Sequence, residues 1–351
     1  MAILQNKIKV LIVDDSAVVR KSLTNILSSD PSIEVMGTAS DPYVAVKKIS
    51  EQVPDVITLD LEMPKMDGLT FLQKIMSQHP IPVVVISSLT AKGSDLVIKS
   101  FEAGAVEVIK KNSISIDSFS EESDIIRTTV KAASKAFVKR KTTILTGAPS
   151  KIKNNLSVTS QKIIAIGAST GGTEAIKDIL INMPIDCPGI VVVQHMPEVF
   201  TKSYADRLNT VCKIAVKEAE DGDAIIRGRA LIAPGNFHME VVRSGAKYRV
   251  KLHQQDPVNR HRPSVDVLFF SCASNAGENA SGTILTGMGG DGAKGLLAMR
   301  NTGSFTVAQD EQSCVVFGMP KEAIKMGAAE RIASLSQIPS IILSHANKQS
   351  I

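Results

Sequence analysis

The sequence predicts an α/β chain of two doubly wound, mainly parallel-sheet domains joined by a linker. Short β-branched runs alternate with amphipathic stretches five times between Ile8 and Lys110, and strands spaced by helical patterns imply parallel sheets with crossover helices. The alternation resumes at Lys162. Between the two regions, Lys141–Gln161 is rich in Thr, Ser, Asn and Lys, holds a Gly-Ala-Pro run and keeps no sustained period, as a linker does.

In the first region the predicted strands are Ile8–Val13, Val35–Ala39, Val56–Asp60, Val83–Ser87 and Val106–Lys110, with amphipathic stretches such as Ala17–Leu27 and Leu69–Met76 between them. Within Phe119–Val138, Ile126, Val130, Ala133 and Phe137 recur at helical spacing, while Arg127, Lys131, Lys135 and Lys139 mark another face. In the second region apolar runs fall at Ile163–Ile166, Ile190–Val193, Ala230–Ala233, Thr283–Leu285 and Ser304–Ala308. Arg243–Lys251 is predicted as a hairpin with Gly245 near its turn. The predicted divisions are residues 1–125, a last helix with a basic linker over 126–160, and residues 161–351.

Composition narrows the function classes. The chain has 351 residues, 44% of them hydrophobic, enough for two cores. No apolar run approaches the ~18 residues a membrane span needs, and the start runs into a strand without a signal-peptide core; a soluble cytoplasmic protein without membrane insertion is expected. Cys187, Cys212, Cys272 and Cys314 form no C-x-x-C pair, which argues for reduced, buried thiols over a zinc site or a disulfide framework. The net charge is +5, yet Ile125–Lys162 holds nine basic residues and no acidic one. Removing those nine leaves the remainder at −4, so the basic character belongs to one segment and no nucleic-acid partner is expected.

Ligands of open parallel sheets bind outside the carboxyl ends of the strands. Asp14 and Asp15 follow the first strand, Asp60 closes the third, Ser87 the fourth, and Lys111 lies just past the fifth. Each has an ordinary reading as helix cap, turn former or surface charge; together they form one edge. Converging carboxylates need a cation, and Mg²⁺ suits oxygen ligands that leave room for a phosphate. Asp60 is then the nucleophile for a phosphoryl group, with Lys111 neutralising charge and Ser87 donating a hydrogen bond.

Val-Asp-Asp-Ser (13–16), Leu-Asp-Leu-Glu-Met-Pro-Lys-Met-Asp-Gly (59–68), Ser-Ser (87–88) and Gly-Ala-Val-Glu-Val-Ile-Lys-Lys (104–111) resemble response-regulator receiver domains. The resemblance implies phosphorylation of Asp60 by a partner histidine kinase, Mg²⁺ held by Asp14, Asp15 and Asp60, and switch positions at Ser87 and Lys111. Two departures stand out. Asn112 occupies the place where most receivers have proline, and Val108 the place where many have an aromatic.

In the second half, Gly167-Ala168-Ser169-Thr170-Gly171 fits G-x-S-x-G at a strand-to-helix turn, a turn that exposes a serine oxygen near helix N–H groups. The same glycine-rich turn could hold a phosphate, as in a dinucleotide-dependent oxidoreductase. His195 ends the strand before Met196, and Asp291 sits in the glycine-rich loop Leu285–Gly292. A serine nucleophile needs a base and the base an orienting acid. His195 and Asp291 can fill these roles, with His238 and His261 as rival bases and Asp291 open to a turn-forming role. The chain order Ser…His…Asp differs from that of the α/β-hydrolases.

Gly-Ala-Ser-Thr-Gly-Gly (167–172), Gln-His-Met (194–196), Ala-Pro-Gly-Asn-Phe-His-Met (233–239), His-Arg-Pro-Ser-Val-Asp-Val-Leu-Phe (261–269), Leu-Thr-Gly-Met-Gly-Gly-Asp-Gly (285–292) and Ala-Gln-Asp-Glu (308–311) look like the chemotaxis protein-glutamate methylesterases. The resemblance implies a serine carboxylic-ester hydrolase acting on methylated glutamates of chemoreceptor helices, with some members also deamidating receptor glutamines. It implies Ser169 as nucleophile, His195 as base, Asp291 as its orienter, Thr170 and Met288 beside the reacting centre, and no cofactor for the esterase. It further implies that the unphosphorylated receiver covers the esterase cleft. The competing expectation is a response regulator with a non-enzymatic, DNA- or protein-binding output.

Overall fold

A computed structural model describes residues 7–63, 66–88, 91–111, 114, 121–138 and 162–348. Asn112, Lys139 and the Lys141–Gln161 linker lie outside the described residues. The chain divides into two compact units, Met1–Thr142 and Thr143–Ile351. Among the described residues no helix is long and apolar enough to cross a membrane.

The first unit runs β1 (Ile8–Val13), α1 (Ala17–Ser28), β2 (Ile33–Ala39), α2 (Pro42–Glu51), β3 (Val56–Asp60), α3 (Gly68–Gln78), β4 (Val83–Ser87), α4 (Ala91–Ala103), β5 (Glu107–Lys110) and α5 (Glu121–Ala133). All strands are parallel, in the order β2-β1-β3-β4-β5. Local chemistry starts the helices: Ser16, Asp41 and Asp67 each accept a backbone N–H of the first turn. The order reverses between β1 and β3, and a crevice at the strand ends forms at such a reversal. Asp14 and Asp15 follow β1, and Asp60 ends β3.

The last helix is shorter than predicted. The Ser134 hydroxyl donates to the Lys131 carbonyl, and Lys135 and Ala136 make tighter bonds to Ala132 and Ala133, so the helix closes early. Phe137 falls beyond it and is exposed. The basic stripe is engaged: Lys131 Nζ donates to Asp30 Oδ2 at 2.6 Å and Arg127 to Ser29 Oγ at 2.9 Å, both just past the C-terminus of α1, where cations are favoured.

The second unit contains β6 (Ile163–Ala168), α6 (Gly172–Ile181), β7 (Gly189–Gln194), α7 (Glu198–Val211), β8 (Ala215–Glu218), β9 (Arg229–Ile232), β10 (His238–Ser244), β11 (Lys247–His253), α8 (Val265–Asn275), β12 (Ala280–Ile284), α9 (Ala293–Asn301), β13 (Phe305–Gln309), α10 (Met319–Lys325), β14 (Arg331–Ala333) and α11 (Ile338–Lys348). Seven parallel strands follow the order β14-β13-β12-β6-β7-β9-β8. The edge strands β8 and β14 escaped the sequence reading because short, charged edges carry little apolar pattern. The start of β12 is hidden by small residues; a Cβ on Gly282 would lie 2.7 Å from Leu296 Cδ1, so glycine lets α9 approach. The predicted hairpin is β10-β11, turning at Gly245 with φ of 60°. The core of this unit brings Val191, Leu231, Met239, Val265, Leu268 and Phe269 together. The cysteines are free, and Cys212 is half-buried, unlike the other three.

Candidate active site

In the first unit the predicted residues meet at the β1/β3 reversal. Lys111 Nζ donates to Asp60 Oδ2 at 2.7 Å and lies 3.0 Å from Asp14 Oδ2. Asp14 and Asp60 are buried, and burial raises both carboxyls above their ordinary range even against the lysine charge. Burial alone would lower the lysine, but the two carboxylates prevail and raise it. One oxygen from each of Asp14, Asp15 and Asp60 lies within 4.8 Å of the others. Asp14 Oδ2 is buried, and its partner among the described residues is the Lys111 ammonium. Three converging carboxylates, an all-oxygen set, fit a hard divalent cation. Ser87 is buried at the end of β4, its hydroxyl donating to the Ser88 carbonyl at 3.3 Å. Val108 is buried in β5. A Cβ on Gly68 would lie 2.1 Å from the Asp60 carbonyl oxygen, so the return of the loop past Asp60 requires glycine.

In the second unit, Ala168 at the end of β6 pairs with Gln194 at the end of β7, so Ser169 and His195 leave neighbouring strands side by side. On the other flank of β6, Gly167 pairs with Ile284 of β12, and the next loop carries Met288 and Asp291. Ser169 N–H donates to the Thr286 carbonyl at 3.0 Å, and Gln194 Nε2 donates to the Ser169 carbonyl at 2.9 Å. Gly171, with φ of 75°, then turns the chain into α6. Both Ser169 and Thr170 are largely buried.

His195 Nε2 hydrogen-bonds Asp291 Oδ2 at 2.8 Å. Its Nδ1 is buried and has no hydrogen-bond partner among the described residues. The His261 ring stacks on it, centroids 3.7 Å apart and planes 9° from parallel. Asp291 is 3% exposed and accepts four further hydrogen bonds: Val265 N–H on Oδ2 at 2.7 Å, and on Oδ1 Asn259 Nδ2 and Ser264 Oγ, each at 2.7 Å, with Asp266 N–H at 3.2 Å. Two of these donors are the first N–H groups of α8, an end that favours anions. Burial works to raise the Asp291 carboxyl, but the bonds from His195, Asn259 and Ser264 hold it far below the ordinary range.

The rival histidines do other things. His238 is fully buried; its Nδ1 accepts the Ser264 N–H at 3.2 Å and its Nε2 bonds the Asp256 carbonyl at 3.1 Å. His261 is held neutral, pushed down to about 3 by burial and by the adjacent His195. Sequence reasoning gave no role to Asn259, Ser264 or Asp266. Ser-Val-Asp before an apolar run reads as an ordinary helix start, and only the fold shows the Ser264 hydroxyl turned to Asp291.

Residues 164–342 match the CheB methylesterase family, and residues 10–121 match the response regulator receiver domain. A protein of Rhodopseudomonas palustris named protein-glutamate methylesterase/protein-glutamine glutaminase of group 3 operon is 54% identical, covering 97% of this chain and 96% of its own. One of Geobacter metallireducens, named protein-glutamate methylesterase/protein-glutamine glutaminase 3, is 55% identical over 96% of this chain and 98% of its own. The crystal structure of the Thermotoga maritima CheB methylesterase catalytic domain aligns with a TM-score of 0.52 at 41% identity, covering 53% of this chain and 98% of that one.

Proposed function

The chain belongs to the CheB methylesterase family, and from that premise we propose that it hydrolyses glutamate methyl esters on chemoreceptors in chemotactic adaptation, under control of its receiver domain. The observation that carries the chemistry is the His195–Asp291 hydrogen bond at 2.8 Å, at the strand end beside Ser169. The Ser169 hydroxyl attacks the γ-carbonyl carbon while His195 Nδ1 takes its proton. Asp291 stays a carboxylate, keeps the Nε2 proton in place and stabilises the imidazolium. The Met288 N–H donates to the developing oxyanion, and Thr170, the next residue after the nucleophile, borders the reacting centre. His195 returns its proton to the departing methoxide, methanol leaves, and an acyl-serine remains. Water then attacks the acyl carbon, gives a proton to His195, and Ser169 departs with it, leaving free glutamate. The same attack on a glutamine amide releases ammonia.

In the receiver, an Asp60 oxygen attacks a phosphoryl phosphorus as the bond to the histidine kinase breaks. Asp14, Asp15 and Asp60 would hold Mg²⁺, which when bound neutralises the phosphoryl oxygens. Lys111, freed from Asp60, and the Ser87 hydroxyl turn to the phosphate. Phosphorylation puts a phosphoryl group of about two negative charges where the carboxylate carried one, shifting the receiver to a state that no longer restrains the esterase. The domain divisions at 1–125, 126–160 and 161–351 serve this reading, the linker keeping the two modules at high effective concentration.

The DNA-binding alternative draws no support from the basic stripe, since Arg127 and Lys131 bond within their own unit. The test is methanol release from methylated receptor membranes with and without a small phosphodonor, using the wild type and Ser169→Ala. The wild type should release methanol and Ser169→Ala should not, with a loss of up to roughly a million-fold. Equal release by both sinks the reading.

A further inference from the structure

Val258 and His261 exchange backbone hydrogen bonds in both directions, at 3.1 and 2.9 Å. The two residues between them have positive φ, 54° at Asn259 and 68° at Arg260. This is the backbone of a type I′ turn, in which glycine is favoured at the second central position. Arginine there is strained, and such strain persists where the surroundings over-determine it.

Two groups over-determine this turn. Asn259 Nδ2 donates to Asp291 Oδ1 at 2.7 Å and to Asp266 Oδ2 at 2.8 Å. His261, at the other end, stacks on His195. Asp266 is itself anchored, its Oδ1 accepting the Gly295 N–H at 2.7 Å. Asp266 and Asp291 are both buried, and buried carboxylates repel unless a donor stands between them. The Asn259 amide is that donor. One four-residue turn therefore touches both the base and the acid of the triad.

We propose that the Val258–His261 turn is a clip for catalysis, in which Asn259 is a positioning residue that aims the Asp291 carboxylate while His261 fixes the plane of the His195 ring. The proposal rests on the Ser169–His195–Asp291 reading. A displacement of about 1 Å in such a constellation can cost on the order of a hundred-fold in rate. The clip thus acts on turnover and leaves receptor binding alone.

The full-length chain is assayed for methanol release from methylated receptor membranes. Asn259→Gly accepts the positive φ and deletes only the amide. Its kcat should fall about ten- to a hundred-fold with KM changed less than about two-fold. Asn259→Asp places a third acid between Asp266 and Asp291, where neighbouring charges raise its pKa; once protonated it donates again. Its activity relative to wild type should rise as the pH drops below neutral. Wild-type kcat in folded Asn259→Gly overturns the clip, as does a pH-independent ratio for Asn259→Asp. If thermal melting shows Asn259→Gly unfolded, the Asn259→Asp ratio decides alone. Ser169→Ala runs in parallel: full release from it overturns the triad and the clip together, whereas its loss beside an unaffected Asn259→Gly overturns the clip alone.

Discussion

His195 binds Asp291 through Nε2 at 2.8 Å, which makes the buried Nδ1 the proton acceptor in the proposed triad. Chymotrypsin-type triads use the two nitrogens the other way round. The roles stay the same, because all the base needs is a fixed tautomer with its lone pair toward the serine.

This predicts the effect of Asp291→Asn. An asparagine amide can offer Nε2 a donor, pushing the ring proton onto Nδ1, where it blocks proton uptake. A loss of about ten-thousand-fold in kcat is expected, as for the equivalent change in chymotrypsin-type enzymes. His195→Ala should be nearly inactive. His238→Ala frees the Ser264 N–H and the Asp256 carbonyl; it should lower the melting temperature yet retain measurable methanol release. Release from Asp291→Asn at the wild-type rate would sink the assignment.

Gly287 tests packing behind the nucleophile. A Cβ there would lie 2.3 Å from Met319 Sδ and 2.7 Å from Ser169 Cβ. Gly287→Ala must therefore push Ser169 or Met319 aside. It should cost about 1–3 kcal/mol of stability and at least about ten-fold in kcat, although no polar group is altered. Denaturant titration and methanol release check both; an unchanged kcat would show that Ser169 tolerates the shift.

Acid stability in the first unit follows from Asp30. The Lys131 hydrogen bond, helped by Ser32, pulls its carboxyl down to about 2, below the ~3.9 of an unfolded aspartate. Its stabilisation is therefore complete above about pH 4 and lost as the pH falls through about 2. Asp30→Asn should lower the urea midpoint at neutral pH, with the gap to wild type narrowing over that window. A gap that stays constant with pH would remove the linkage.

Control by phosphorylation predicts three linked results. A small phosphodonor with Mg²⁺ should raise methanol release, and Asp60→Asn should abolish that rise. Chelating the metal should abolish it too, since the acidic cluster would lose its cation. A fragment starting near Val158 should outpace the unphosphorylated full-length chain. A folded fragment that is no faster would assign the receiver to delivery of the enzyme instead of restraint.

Much was legible along the chain because it is encoded locally. β-branched runs gave the strands, and Gly245 marked the hairpin turn. The residues at strand ends could be grouped because a parallel sheet places all such ends along one edge, whatever their distance in sequence. That rule made Ser169, His195 and Asp291 candidates from the sequence, and Asp14, Asp60 and Lys111 likewise. Phe137 misled because helical spacing continues past the point where Ser134 ends the helix.

What the tertiary structure decided is which neighbours each group has. Strand order put β12 and β7 on opposite flanks of β6, so a Ser…His…Asp chain order surrounds one serine. Registry places His195 at the strand end beside Ser169, whereas His238 is bonded to the Ser264 N–H and the Asp256 carbonyl. The donors of Asp291 were invisible beforehand: Asn259 and Ser264 come from a turn and a helix start whose local chemistry is unremarkable. A hydrogen bond between residues remote in sequence has no local signature. Its energy depends on burial and direction, which exist only after the sheet has formed, and so the sequence alone determined the candidates while the fold determined their geometry.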